Sequence, residues 1–215
     1  MPGPIPENGL RSWGRRAVRP RGIVSGRGFG YGVGRMKIYA TYGLIGALLG
    51  ALQTLVLFFL GLHGEKIHLL NDLKVSLPLG ALGFVLGAAV LVLGLRAWRE
   101  AQPDKAMSYG RGVGGGCLIG LWQGLGTMVF TIVYGFVINP GFKDAMVANT
   151  MAQMQAKNLP AEGYAMAEKM MNITLNPIFQ GIMAVPGSIF IALIASLIAA
   201  AVLKREAAPA QPPLV

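Results

Sequence analysis

Four long stretches of this sequence hold no Asp, Glu, Lys, Arg or His: residues 38–62, 77–95, 113–138 and 178–203. Ionisable groups inside a membrane mark proton relays, ion paths and substrate sites. Their absence argues against a proton- or sodium-coupled transporter and against paired-carboxylate hydrolysis within these stretches. Cysteine is almost missing as well. The single Cys117 excludes an internal disulfide framework and a multi-cysteine metal site, and reads as an inert thiol. Histidine is limited to His63 and His68, which flank Glu65. Five positions apart, they would sit on opposing faces of a helix with no third ligand, so both read as solvated loop residues. There is no H-E-x-x-H and no nucleophile beside a base. The expectation is a protein that is not an enzyme and holds no metal or cofactor.

What is present is hydrocarbon. Only 13% of residues are charged, and the mean hydropathy is +0.54. Each uncharged stretch supplies the roughly 20 residues an α-helix needs to cross about 30 Å of bilayer. Lipid offers no partner to a bare peptide group, so such stretches satisfy their hydrogen bonds internally, as helices. The predicted fold class is all-α integral membrane: four transmembrane helices, with a short extracytoplasmic helical hairpin between the third and fourth.

The net charge of +10 resembles a nucleic-acid signature until it is divided along the chain. Residues 1–37 carry eight of the nineteen Lys and Arg and one of the nine acidic residues. The excess therefore belongs to an N-terminal tail rich in Gly, Pro and Arg, with no apolar period. Residues 1–35 are expected to be disordered, either as a basic arm on anionic lipid or as an extension ahead of a true start at Met36. The tail has no apolar region fit for an export signal. No nucleic-acid partner is expected. Residues 36–206 form one membrane domain, and 207–215 a disordered C-terminal tail.

With four spans both termini share a side. Lys and Arg near the span ends assign that side to the cytoplasm, and Arg96, Arg99 and Arg111, around the short connection after span two, carry the argument. Tyr39, Tyr42, Trp98, Tyr109 and Tyr134 fall near span ends, where an interfacial aromatic belt would place them.

Between spans three and four, residues 142–158 and 160–172 read as two short helices, the second with Pro160 and Glu162 at its start. Phe142, Met146, Met151 and Met154, then Tyr164, Met166, Met170 and Met171, mark apolar faces suited to an outer headgroup layer. Methionine can hold Cu(I), but here no Cys or His accompanies it, and Met is a common filler of helix faces.

Small residues recur every four positions in three of the spans: Gly46 and Gly50, Gly83 and Gly87, then Gly112, Gly116, Gly120 and Gly124. This spacing lets helix backbones approach closely in lipid. It serves packing within one chain or a face for a homo-oligomer or a membrane-protein partner. Pro186 interrupts span four and predicts a kink. Gln53, Thr54, Gln123, Thr127, Thr131, Ser188 and Ser196 are the polar groups within the spans, assigned to interhelical hydrogen bonds.

Gly94-Leu-Arg-Ala-Trp-Arg-Glu, then Met107-Ser-Tyr-Gly-Arg-Gly, the exit Asn139-Pro-Gly-Phe and the closing IALIASLIAAAVLKRE together resemble the bacterial membrane family called domain of unknown function 4199. The resemblance runs from about Met36 to Glu206. It implies four helices in a bacterial inner (plasma) membrane and brings no catalytic or binding residue. The leading expectation is a non-enzymatic scaffold or accessory subunit acting by helix–helix packing. The alternative is a small-solute transporter or channel, which a water-accessible Gln123 or Thr127 would favour.

Overall fold

The computed structural model describes residues 28–156 and 161–205. Expectations for residues 1–27 and 206–215, for Lys157 and Pro160, and for the side chain of Glu162 lie outside the described residues. Among the described residues six α-helices follow one another: α1 (Gly28–Phe59), α2 (Leu73–Glu100), α3 (Tyr109–Val133), α4 (Phe142–Ala156), α5 (Ala161–Thr174) and α6 (Pro177–Leu203). Because α1 starts at Gly28, residues 28–35 of the expected tail belong to a helix. A 3₁₀ turn, Ile67–Asn71, precedes α2, and a π-helical turn, Tyr134–Ile138, extends α3. The described residues contain no β-strand.

Four helices among the described residues are long and apolar enough to cross a membrane: Met36–Phe59, Leu73–Glu100, Tyr109–Ile138 and Pro177–Leu203. Their ends are set by local chemistry. Beyond Phe59 the α1 helix is closed off by Gly61, whose φ of +79° suits a residue without a Cβ. There the Leu62 N–H bonds the Leu57 carbonyl and the Gly61 N–H bonds the Phe58 carbonyl, a Schellman closure. Asp72 caps α2 through a 2.9 Å bond from the Lys74 N–H. Asn176 accepts from the Ile178 and Phe179 N–H groups, with Pro177 in the first turn of α6. That helix continues unbroken through Pro186 to Leu203.

The centre of the bundle is α3. It packs most extensively on α6, then on α1, and more lightly on α2, which itself touches α1 and α6. The α3–α6 seam is antiparallel and very close. A Cβ added at Gly112 would lie 2.7 Å from Ala200 Cβ, and one at Gly116 would lie 2.3 Å from Ser196 Cβ. At Gly120 it would meet Ala192 Cβ at 2.5 Å, and at Gly124 the Val185 Cα at 2.7 Å. The four-residue stripe of span three is thus occupied within the chain. Sequence reasoning missed its companions: Gly115 faces Tyr39 and Leu95, Gly126 faces Ala47, and Gly43 lies against Trp122 and the Ile119 carbonyl.

The two ends of the bundle differ. At the end carrying the α2–α3 connection and the last turn of α6, Tyr39, Leu91, Leu95, Trp98, Met107, Ile119, Ala192 and Ala199 form the buried core. Tyr39 and Trp98 stack with ring centres 6.2 Å apart. Backbone bonds between Met107 and Arg205 tie the connection to the end of α6. Arg99 donates from Nη1 to the Leu203 carbonyl at 3.3 Å. The aromatic belt is therefore corrected. Tyr39, Trp98 and Tyr134 are buried inside the bundle, while Tyr109 stays exposed. Rings at the ends of closely packed helices find more apolar contact inward than at a headgroup layer.

Candidate functional site

At the opposite end the α1–α2 connection reaches the end of α3. Tyr134 is buried, and its ring lies among Phe58, Phe130, His63 and Phe142. Its phenol oxygen is 2.6 Å from His63 Nδ1. One amide nitrogen, Asn139 Nδ2, donates to the Tyr134 oxygen at 3.1 Å and to the His63 carbonyl at 2.9 Å. Since the Asn139 amide already donates to that oxygen, the phenol hydrogen points to His63 Nδ1, with the imidazole neutral; the tautomer is assigned from the network. Burial pushes the His63 pKa below its ordinary value. The π turn makes this geometry: the Asn139 N–H bonds the Tyr134 carbonyl at 2.7 Å, five residues back. His63 is therefore not a solvated loop residue, whereas His68 is exposed.

Beneath this cluster the bundle opens. A cleft of about 480 Å³ lies between α1, α3 and α6. Its wall includes Gly50, Gln53, Thr54, Gln123, Thr127, Thr131, Gln180 and Ser188, and His63, Tyr134 and Phe142 line it as well. A second cleft, of about 340 Å³, lies between α2, α3 and α6 and is mostly apolar, with Phe84, Leu91 and Ile191 among its lining. Gln123, Thr127 and Ser188 border both.

Gln123 stands midway along the span Tyr109–Ile138, at the depth where polar groups cost most. Two glycines expected as packing sites prove to be seats for glutamine side chains. A Cβ at Gly46 would sit 3.0 Å from Gln123 Oε1, and one at Gly83 would sit 2.9 Å from Gln53 Oε1. Gln53 Nε2 in turn donates to the Leu79 carbonyl at 2.8 Å, joining α1 to α2. Gly87 makes an ordinary 3.9 Å approach to Gln123 Nε2, and nothing lies within 4 Å of a Cβ at Gly50.

The expectation that interhelical hydrogen bonds absorb the polar groups holds for Gln53 and Ser196 only. Ser196 Oγ reaches the Val113 carbonyl at 3.5 Å and its own helix at 2.9 Å. Thr54 bonds back to the Gly50 carbonyl within α1. Gln123, Thr127, Thr131, Gln180 and Ser188 make no side-chain hydrogen bond among the described residues, and all five face the first cleft. No sequence signal distinguished these five, because only tertiary packing brings them onto one space. The described residues contain no group of three His, Cys, Asp or Glu placed to hold a metal ion.

Of the residues expected to set orientation, Arg99 is tied to Leu203, Arg96 pairs with Glu100 at 3.0 Å on an exposed helix face, and Arg111 shares a surface pocket with Lys204 and Arg205. The Arg96–Glu100 pair lies in water's reach and contributes little to stability.

Three apolar membrane-length helices around a central fourth, with polar groups turned inward, define a multi-pass α-helical membrane protein. Within that class the chain belongs to the family described as protein of unknown function (DUF4199), whose model matches residues 41–205. No curated protein and no solved structure matches the chain.

Proposed function

We propose that this is a non-enzymatic, multi-pass protein of a bacterial inner membrane that admits a small uncharged solute to the cleft between α1, α3 and α6. The observation that carries this reading is the set Gln123, Thr127, Thr131, Gln180 and Ser188, five polar side chains on one space within the spans. A polar group without a partner in an apolar medium costs on the order of 1–3 kcal/mol. Water and a hydrogen-bonding solute relieve that cost; lipid tails do not. The glycine stripe of α3 gives less support to an intermolecular face, since α6 already fills it.

Orientation follows from charge. Arg96, Arg99, Lys105, Arg111, Lys204 and Arg205 gather at the Trp98 end, which supports a cytoplasmic side for that end and for both termini. The cleft then opens outward beneath His63 and Tyr134, and α4 and α5 form an outer hairpin, joined by a 3.0 Å bond from the Tyr164 hydroxyl to the Met154 carbonyl.

The test is thiol labelling. Thr127→Cys in a Cys117→Ser background is treated, in intact cells with a permeable outer membrane, with an impermeant maleimide. Labelling at Thr127→Cys, and none at Ile119→Cys in the packed half, is the expected result. A Thr127→Cys that reacts only after detergent solubilisation would remove the aqueous cleft.

A second reading, an accessory subunit, rests on Gly80 and Gly114. Nothing lies within 4 Å of a Cβ at either, so each leaves a flat place on the bundle for another membrane protein or a second copy. Native-membrane capture in lipid nanodiscs, read by mass spectrometry, would show a stoichiometric partner if this reading is right.

A further inference from the structure

The two clefts share their innermost wall. Gln123, Thr127 and Ser188 border the polar cleft on one side and the apolar one on the other. The polar cleft runs from Gln123 to Tyr134 along α3, a rise of roughly 16 Å at 1.5 Å per residue, and so reaches the end of the span. The apolar cleft takes a different course. Its rim is made by Phe84 on α2 and by Gly187 and Ile191 on α6, all exposed on the outside of the bundle. These residues stand near the middle of the spans Leu73–Glu100 and Pro177–Leu203, not at their ends. A mouth at that depth opens sideways, into hydrocarbon.

The geometry points to a lateral portal: an amphiphile enters from the bilayer between α2 and α6 and presents its head group to Gln123, Thr127 and Ser188. The inference rests on the solute-cleft reading above and names the class of ligand that cleft takes. The ligand is a neutral lipid, with an apolar chain and a small uncharged head that donates and accepts hydrogen bonds. Each part of that description has its reason. The chain is required by a groove walled by Phe84, Leu91 and Ile191. The head must be uncharged because neither cleft carries a Lys, Arg, Asp or Glu among its lining residues, and an ion there would face the full desolvation cost. It must hydrogen-bond because an amide and two hydroxyls await it at the junction. A purely hydrophilic solute has no use for the sideways mouth, and an alkane has none for the polar floor.

Two glycines allow each cleft to be filled separately. Nothing lies within 4 Å of a Cβ at Gly187, which lines the apolar cleft, or at Gly50, which lines the polar one. A Cβ at either position is clear of the fold, and a larger side chain there is expected to narrow the cleft it lines. The experiment uses the full chain in lipid nanodiscs with a long-chain alcohol carrying a diazirine in its alkyl chain, and a diazirine phosphatidylglycerol as the charged control. Crosslinked residues are mapped by mass spectrometry, alongside the Thr127→Cys maleimide readout.

The expected pattern has four parts. The alcohol crosslinks residues of the α2–α6 rim, and excess unlabelled alcohol competes it away. The phosphatidylglycerol probe does not give that saturable signal. Gly187→Leu lowers crosslinking about tenfold while Thr127→Cys still reacts with maleimide from the aqueous side. Gly50→Leu does the reverse. Maleimide labelling without saturable alcohol crosslinking would overturn the portal and leave the solute cleft standing. Loss of both would overturn both. Equal crosslinking by the two probes would also overturn the portal, since the rim would then be ordinary lipid-facing surface. A Gly187→Leu protein with an unchanged melting temperature shows that the loss is not unfolding.

Discussion

The Tyr134 phenol and His63 Nδ1 lie 2.6 Å apart across 71 positions of sequence, joining the α1–α2 connection to the π turn that ends α3. This contact roofs the polar cleft. Its strength depends on His63 being neutral, because the unprotonated Nδ1 accepts the phenol hydrogen.

That dependence predicts a pH effect of definite sign. Burial lowers the His63 pKa in the folded state, so the unfolded chain holds the extra proton at pH below about 6.5. Stability from this site is full above that value and is lost as pH falls through the folded pKa. Melting temperature in detergent should fall on acidification below pH 6.5, and His63→Gln should flatten this part of the profile. A His63→Gln curve parallel to the wild type would assign the pH effect elsewhere.

Tyr134→Phe removes one hydroxyl and leaves the ring among Phe58, Phe130 and Phe142. Loss of its bonds to His63 and Asn139 should cost about 1–2 kcal/mol. Equilibrium unfolding in mixed micelles would measure it, with Tyr164→Phe, whose bond joins only α4 and α5, as the milder comparison.

The glycines separate cleanly into filled and open positions. Gly120→Ala brings a Cβ to 2.5 Å from Ala192 and 2.8 Å from the Ser188 carbonyl, which is backbone and cannot step aside cheaply. It should destabilise by about 1–3 kcal/mol. Gly114→Ala meets nothing within 4 Å and should be neutral or stabilising by up to about 1 kcal/mol, from helix propensity alone. Equal melting temperatures for the two variants would show that the α3–α6 seam is looser than described.

Neutralising Arg96, Arg99 and Arg111 together should weaken or invert the orientation. Reporter fusions at the C-terminus, active on only one side of the membrane, would read this directly. Arg99→Gln alone should also loosen the last turn of α6, whose Leu203 carbonyl it holds.

Much of the architecture was legible because hydropathy is a local property. Spans read as 38–62, 77–95, 113–138 and 178–203 became helices at those places, and the two short elements after Asn139 became α4 and α5. What could not be read was which side of each span faces which neighbour. A helix such as α6, apolar all round, has no polar stripe to reveal its buried face. The Gly112-to-Gly124 stripe announced close packing but not its partner, and Gly43, Gly115 and Gly126 share no such period. Gly46 and Gly83 were read as backbone contacts and instead hold glutamines. The long-range bond of His63 to Tyr134 has no local signature, nor has the gathering of Gln123, Thr127 and Ser188 from two helices.

The packed half of the bundle has a consequence for direction. Tyr39, Leu95, Trp98, Met107 and Ile119 seal one end, and the α3–α6 seam below Gln123 is backbone against side-chain stubs with no slack. Opening a route to that side would mean prising apart the tightest contact in the molecule. If the hollow admits a solute and a lipid as proposed, it is a cul-de-sac, and traffic through it would run between the bilayer and a single aqueous face. Such a protein would load or unload the membrane from one side and leave the barrier to the other intact.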